Sequence, residues 1–375
     1  SSRTLSTRET SQSTTAVAST FEGNSVNVNA GQDLSVKGSN VLADQNVNLA
    51  AGGNVNITAA QNTQSQSSFR QETKSGLMSS GGIGFTVGSR MQSVDGQDTS
   101  TTAAGSTVGS TGGNVTINAG KTYTQTGSDV LTPNGDIAIS AQKVDITEAR
   151  ETGSQSTQQK FKQSGLTVAV TSGLVSNLQM ADSQIKAAGN TSSDRMKALG
   201  TVNAAAGVVQ AAQNATQLNV SITAGTSSSQ SQQQSSADTA KGSNLNAGGN
   251  VTITATGAGK DSDITVRGST IEAGKATSLK ADDQVSLLAA ANTTQESNSS
   301  KNSSASAGMS AGTGGLGFIA SASAGKGNGS GNSTTYTNTQ VSGNTVNIDS
   351  AGDTTLKGAV VSANQVTANA GGNLN

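Results

Sequence analysis

The 375-residue chain has no cysteine, no histidine and no tryptophan, and its only proline is Pro133. Without cysteine there is no disulfide, no thiolate nucleophile and no zinc–thiolate site. Without histidine, the commonest metal ligand and the usual general base at neutral pH are also missing. These absences predict a protein that is not an enzyme and that holds no metal or cofactor.

The chain also has almost no net charge and few apolar side chains. The 22 basic residues nearly balance the 23 acidic ones, whereas a nucleic-acid partner would require a clustered cationic face. Only 32% of the residues are hydrophobic and 2% are aromatic, and no apolar run approaches the roughly 18 residues of a membrane-spanning helix. A disordered chain would usually carry more proline and more net charge. An elongated repeat structure with a thin, continuous core therefore fits this composition.

What the sequence does contain is a repeated phrase. Residues 51–59, "AGGNVNITA", return as "TGGNVTINA" at 111–119 and as "AGGNVTITA" at 247–255. Apolar and polar side chains alternate in and around the phrase, which indicates short strands with one buried face, and glycine turns separate the strands. The pattern predicts an all-β fold, a parallel β-helix (solenoid) with coils of about 20 residues. The predicted solenoid core consists of Val47, Leu49, Val55, Ile57, Val115, Ile117, Ile139, Ile146, Val251, Ile253, Leu279, Val285 and Leu287.

A longer unit contains this phrase. Copies of the unit occupy 38–59, 127–147 and 268–289, and a fourth begins at 357. A tract rich in Ser, Thr, Gln and Asn follows each of the first three copies, and a stretch of small and apolar residues follows each tract. We predict that each tract leaves the solenoid as a protruding polar β-hairpin and rejoins it at the next coil. The alternative is a floppy polar loop.

One segment has helical rather than strand periodicity. Leu174, Leu178, Ala181 and Ile185 fall at i, i+4, i+7 and i+11, which predicts an inserted helical hairpin at 174–188 and 193–213. It would brace the solenoid, or else serve as a docking element or movable lid. The predicted division of the chain is a flexible or preceding-repeat tail at 1–19, repeat units at 20–110, 111–172 and 268–340, the helical hairpin at 173–214, extra solenoid coils at 215–267, and the start of a fourth unit at 341–375.

The apolar stretches after the tracts are the candidate functional residues. In each stretch, apolar residues alternate with small or polar ones, as strands at a membrane do, but the runs are shorter than the roughly 9–11 residues of a spanning strand. The favoured interpretation for the isolated protein is that these strands pack on neighbouring hairpins of the same fibre, and the hypothesis is that the same strands associate with a membrane. The candidate membrane-associating residues are Ile83, Phe85, Val87, Leu166, Val168, Val170, Leu316 and Phe318.

The unit "GSxVxAxxxVxLxA…VxIxA", followed by its polar tract and glycine-rich apolar stretch, resembles the second, C-terminal-side class of haemagglutinin repeat. This repeat occurs in the filamentous haemagglutinins and contact-dependent growth-inhibition exoproteins of Gram-negative bacteria. The resemblance implies a secreted fibre at the cell surface, exported by an outer-membrane partner transporter of its own cell. It also implies a role as a stalk that associates with the target-cell outer membrane and helps a toxin to cross it.

Two other functions remain open at this point. The same module builds the shaft of filamentous adhesins, and a parallel β-helix with the acidic pair Asp282–Asp283 is also compatible with an enzyme acting on polysaccharides. Because neighbouring residues of a strand point to opposite faces, the two carboxylates would not converge on one bond, and a solvated turn is the better interpretation. Exposed Ser, Thr and Gln ladders also offer a route to self-association through their edges.

Overall fold

The computed structural model describes residues 1–79, 83–172, 218–312 and 315–375. Within these residues the chain is almost wholly β-strand, with one turn of 3-10 helix at Gly259–Asp261. The predicted helical hairpin at 173–214 lies outside the described residues. In the described part of the chain, no helix is long and apolar enough to cross a bilayer.

Three parallel sheets form the sides of a solenoid, and each coil contributes one strand to each sheet in turn. With strands numbered in chain order, sheet 1 contains β2 (Thr20–Gly23), β5 (Asn40–Ala43), β10 (Thr107–Ser110), β13 (Asp129–Thr132), β18 (Asn244–Ala247), β21 (Thr270–Ala273), β26 (Thr339–Ser342) and β29 (Ala359–Ser362). Sheet 2 contains β3 (Val26–Ala30), β6 (Val47–Ala51), β11 (Val115–Ala119), β14 (Ile137–Ala141), β19 (Val251–Ala255), β22 (Ala276–Ala281), β27 (Thr345–Ser350) and β30 (Gln365–Ala370). Sheet 3 contains β4 (Leu34–Lys37), β7 (Val55–Thr58), β12 (Thr122–Thr126), β15 (Lys143–Thr147), β20 (Ile264–Arg267), β23 (Val285–Leu288) and β28 (Thr354–Lys357).

The core of the solenoid is a set of columns of stacked side chains. Val47 pairs with Val115 in the next coil of sheet 2, and Val115 pairs with Ile137 in the coil after that. Every residue of the predicted core is buried, and the all-β parallel solenoid is confirmed. Since alternate residues of each strand point inward, a coil needs only small and medium apolar side chains to fill its centre.

One coil places a polar pair where its neighbours place aliphatic residues. Tyr123 and Gln125 of β12 lie fully buried in register with Val55 and Ile57. The Tyr123 hydroxyl donates to Gln125 Oε1 at 2.9 Å, and Gln125 Nε2 donates to the Ser128 carbonyl at 2.6 Å. Burial raises the pKa of Tyr123 well above its usual value, so the phenol stays protonated and keeps this donor. The pair is satisfied internally, as buried polar groups must be.

The remaining strands are much longer and form one antiparallel sheet, which we call the wing. Three hairpins supply six of its strands, and each hairpin leaves the solenoid between sheet 3 and sheet 1. A strand of 24 residues reaches roughly 80 Å at about 3.4 Å per residue. In spatial order, the wing contains β1 (Ser2–Thr14), β8 (Ala60–Ser79), β9 (Ile83–Ala104), β16 (Ala149–Ser172), β17 (Leu218–Lys241), β24 (Ala290–Gly312) and β25 (Gly315–Thr337).

The wing and the solenoid share one spacing. Neighbouring strands in any sheet lie about 4.8 Å apart, which is also the rise of one coil. A hairpin has two strands and therefore occupies the height of two coils. In agreement with this, hairpins leave only every second coil, and the wing strands follow the order of the coils.

A glycine forms the corner in each coil that carries no hairpin. Gly38, Gly127, Gly268 and Gly358 all have φ between 54 and 68°, a left-handed conformation that suits glycine alone among common residues. A Cβ on Gly127 would overlap the Cβ of Ala149, where the adjacent hairpin begins. The glycine therefore serves both its own turn and the departure of the neighbouring hairpin.

Two stretches of the predicted division form strands of the wing. Residues 2–14 of the tail expected at 1–19 form strand β1, because their backbone pairs with β8 along its whole length, and the flexible alternative does not hold for them. Residues 218–241, expected within the extra solenoid coils of 215–267, are the return strand β17 of the second hairpin. Their "LNVSITA" start has the alternation of a coil, but about 16 residues without a coil turn follow it, and they pair with β16 and β24.

Replacing the corner glycine Gly127 by alanine should lower the stability of the solenoid. The left-handed φ alone costs an L-residue about 1–2 kcal/mol, and the contact with Ala149 adds to this. We expect a lower midpoint in urea unfolding followed by circular dichroism. Gly31→Ala is the matched control, since Gly31 has open space within 4 Å and no left-handed φ. Equal midpoints for the two variants would contradict the assigned role of the corner.

Candidate functional site

The far end of the wing gathers apolar side chains on one face. In antiparallel sheets, residues directly opposite one another project to the same side. Three successive rows meet this condition: one through Leu166, one through Val168 and one through Val170. We call the resulting surface the tip patch. The tip patch consists of Leu77, Phe85, Val87, Leu166, Val168, Val170, Val220, Ile222, Met309, Leu316 and Phe318.

The tip patch is exposed to solvent. Phe318 is 91% and Leu316 88% exposed on the edge strand β25, and Leu166, on a central strand, still keeps 46% of its surface. Side chains in the middle of a sheet retain that much only where no second layer covers them. More than half of the exposed large apolar side chains of the described residues belong to the tip patch.

The opposite face of the tip is built mostly from small residues, with Met78 and Ile319 as its larger side chains. Gly76, Gly88, Gly165 and Gly225 form one row across four strands. A Cβ on Gly88 would meet the Ser164 carbonyl oxygen, so these backbones pack too closely for any side chain there. In the next row towards the tip, the hydroxyls of threonines at 86 and 167 are hydrogen-bonded at 2.8 Å. The glycine row thus marks the boundary between the polar part of the wing, which we call the stem, and the apolar tip.

All the candidate residues from the apolar stretches come together here. Phe85, Val87, Leu166, Val168, Val170, Leu316 and Phe318 belong to the tip patch, and the backbone of Ile83 is in register with Val170. Sequence reasoning missed Leu77, Val220, Ile222 and Met309. Val220 and Ile222 were missed because their alternation also suits a solenoid coil.

The other candidate chemistry is dispersed. Asp282 and Asp283 lie in the turn between β22 and β23, and one oxygen of Asp282 accepts a hydrogen bond from the Gly257 amide at 2.9 Å. No cluster of three acidic side chains with metal-binding geometry occurs in the described ranges.

Comparisons with known proteins agree with this architecture. A family model described as Hemagglutinin repeat matches residues 1–111 and 222–375. The tRNA nuclease CdiA of Escherichia coli strain STEC_O31 is 39% identical over 392 residues, covering 100% of this chain and 12% of that protein. The Toxin CdiA of Yersinia pestis is 39% identical over 96% of this chain and 11% of that protein. The Deoxyribonuclease CdiA of Dickeya dadantii is 34% identical over 100% of this chain and 12% of that protein. No solved structure matches significantly.

The fold defines a class: a β-helical repeat module that carries a projecting antiparallel sheet. The family model covers more than half of the chain, which therefore belongs to the hemagglutinin repeat family. The resemblance to the repeat regions of filamentous haemagglutinins and contact-dependent inhibition exoproteins is confirmed. The chain spans about an eighth of the length of the CdiA relatives named above.

The glycine row yields a test of the wing. In Gly165→Ala, the new Cβ would lie 2.6 Å from the Val87 carbonyl oxygen and 2.9 Å from the Gly88 Cα, so the pairing of β9 with β16 must shift. We expect amide hydrogen exchange at the tip ends of β9 and β16 to speed up about tenfold, the effect of about 1.4 kcal/mol in local opening. Gly153→Ala in the same strand is the control, because its nearest neighbour is 4.0 Å away. Unchanged exchange in Gly165→Ala would argue against the close approach.

Proposed function

We propose that the chain is a stalk segment of a secreted contact-dependent growth-inhibition exoprotein and that its wing associates with the target-cell outer membrane. The observation that carries the proposal is the tip patch, which lies at the end of the wing farthest from the solenoid. Contiguous apolar patches of this kind on soluble proteins mark interaction sites. A membrane is the partner that most directly covers an apolar surface presented at the end of a long projection.

The amphipathic character of the tip sets how deeply it enters. Its apolar face suits lipid, while its glycine and threonine face does not, and open sheet edges carry backbone groups that hydrocarbon cannot satisfy. A single wing therefore lies within the outer leaflet with its tip patch buried, in the manner of other amphipathic elements at interfaces. Anchored in this way, the solenoid is held at the target surface, where it positions a toxin for translocation.

The names of the relatives support a role apart from catalysis. A tRNA nuclease, a deoxyribonuclease and a 16S rRNA endonuclease share this segment at 34–39% identity. Because the segment is similar in proteins named for different nucleic-acid substrates, it does not determine which substrate is cut. Export through an outer-membrane partner transporter, and display at the producing cell's surface, belong to the same proposal.

A second candidate function is the shaft of a filamentous adhesin. It is favoured by the stem, where Ser, Thr and Gln side chains are exposed on successive strands, as around Gln155 and Ser235. Hydroxyl and amide groups at regular spacing suit polar surfaces of cells.

The membrane proposal is tested by removing three residues of the tip patch. The triple variant Phe85→Ser, Leu166→Ser and Phe318→Ser should bind far more weakly to neutral phosphatidylcholine vesicles in a co-sedimentation assay. Each buried apolar side chain contributes about 2 kcal/mol, which is roughly thirtyfold in partitioning. The circular dichroism spectrum should not change, because these side chains are exposed in the free protein.

The matched control changes exposed apolar residues outside the tip patch. Val17→Ser, Tyr336→Ser and Val360→Ser remove side chains that are 91%, 66% and 48% exposed and that lie on the solenoid or next to it. This variant should sediment with vesicles as the parent does. Binding lost equally in both variants, or absent in the parent, would sink the membrane role and leave the adhesin shaft as the better candidate.

A further inference from the structure

Charged residues of the described wing are sorted along its length. The tip beyond the glycine row carries none, and the part of the stem next to the tip is rich in Lys and Arg. We call these cations the cation belt. When the strands are aligned by their pairing, these cations fall within a band five residues deep, and they occupy six of the seven strands. The cation belt consists of Arg3, Arg70, Lys74, Arg90, Lys160, Lys162, Lys301 and Lys326.

Acidic residues have the opposite distribution. Only Glu72 lies among the belt residues; the other carboxylates of the wing are closer to the solenoid. These solenoid-side acids are Glu9, Asp95, Asp98, Glu151, Asp238 and Glu296. The wing thus has a neutral apolar end, a cationic band and then a stem in which six acids outnumber the three remaining cations, Arg8, Arg150 and Lys241.

Several belt cations oppose each other directly. Lys74 is the cross-strand partner of Arg90, and Lys301 is the cross-strand partner of Lys326. Like charges at directly opposite positions destabilise a sheet. In the part of the chain that the structure describes, neither Lys301 nor Lys326 forms an ion pair. An external anion beside these pairs would relieve the repulsion.

Glu72 neutralises only part of the positive charge of the cation belt. Its Oε1 atom forms ion pairs with Lys74 Nζ at 2.9 Å and with Arg3 Nε at 2.8 Å. These two cations hold the pKa of this carboxyl below its usual range, so it stays ionised. One carboxylate shared between two cations leaves the rest of the belt with a positive charge.

The belt stands at a fixed depth behind the tip patch. Lys74 precedes Leu77 by three residues and Arg70 precedes it by seven, so the cations begin about 10 Å and end about 24 Å behind the first apolar row. Four of them, Lys160, Lys162, Lys301 and Lys326, project on the same face as the tip patch. Their flexible stems can lean towards the tip and carry the ammonium groups closer to it.

We propose that the cation belt binds the phosphate groups of an anionic lipid surface while the tip patch enters its apolar layer. This inference rests on the proposed membrane association. Seven strands make the belt about 30 Å wide, a width that fits a surface presenting many phosphates and exceeds any single small anion. The acid-rich part of the stem is repelled by the same surface, so the charge order also orients the wing with its tip inward.

The first experiment compares two kinds of vesicle. The parent chain should partition more strongly into vesicles of equal parts phosphatidylcholine and phosphatidylglycerol than into phosphatidylcholine alone. The difference should shrink as salt rises, because screening weakens exposed charges. The variant Lys162→Ser, Lys301→Ser and Lys326→Ser should lose about fivefold per cation, roughly a hundredfold in total, on anionic vesicles only. On neutral vesicles it should bind as the parent does.

The matched control removes the same charge from the solenoid. Lys260, Lys275 and Lys280 are exposed there, and their combined change to serine should leave the preference for anionic vesicles intact. Equal binding of the parent to both vesicle types would overturn the role of the belt and leave membrane association standing. No binding to either would overturn both. If the parent formed a dimer in solution, bound no vesicles, and became monomeric in the tip-patch variant, the tip patch would be assigned to binding a second copy of the chain.

Discussion

The common spacing of about 4.8 Å between hydrogen-bonded strands governs the whole structure. A coil rises by one spacing and a hairpin is two spacings wide, so a continuous wing requires one hairpin for every two coils. A hairpin from every coil would be too wide, and one from every third coil would leave unpaired edges. The alternation of glycine corners with hairpin departures, as at Gly127 and Ala149, is how the sequence meets this requirement.

This constraint also accounts for a wing that has no core of its own. Long two-stranded hairpins are marginal in water, and the wing gains little from burial because most of its side chains are exposed. The solenoid holds the start and end of each hairpin at the height where its neighbours need it. Cross-strand pairs then extend the order outward, with close glycine contacts and hydroxyl pairs such as Thr86–Thr167 at the tip.

The solenoid was predictable from sequence because its coils repeat one pattern of alternating apolar residues and glycine turns. The alternation around Val47 and Ile57 indicates buried strands, and the glycine turns mark the corners. The limits of this reasoning are visible in Tyr123 and Gln125, a polar pair that becomes a core element only through its mutual hydrogen bond. Seven of the eleven tip-patch residues were predictable from the sequence, but the surface they form was not, since the register that aligns Phe85 with Val168 is set by distant coils.

The same register couples the length of the fibre to its proposed grip on a membrane. Each added pair of coils lengthens the solenoid by about 10 Å and adds one hairpin to the wing. That hairpin brings a new section of tip patch and, where its sequence allows, new cations such as Lys301 and Lys326 for the belt. Contacts along one rigid row strengthen binding together, because binding of the first hairpin brings the next hairpin to the membrane surface. A weak apolar contact from each hairpin is therefore sufficient for membrane binding. Each tip then needs few apolar side chains, which keeps the wing soluble before it meets a membrane.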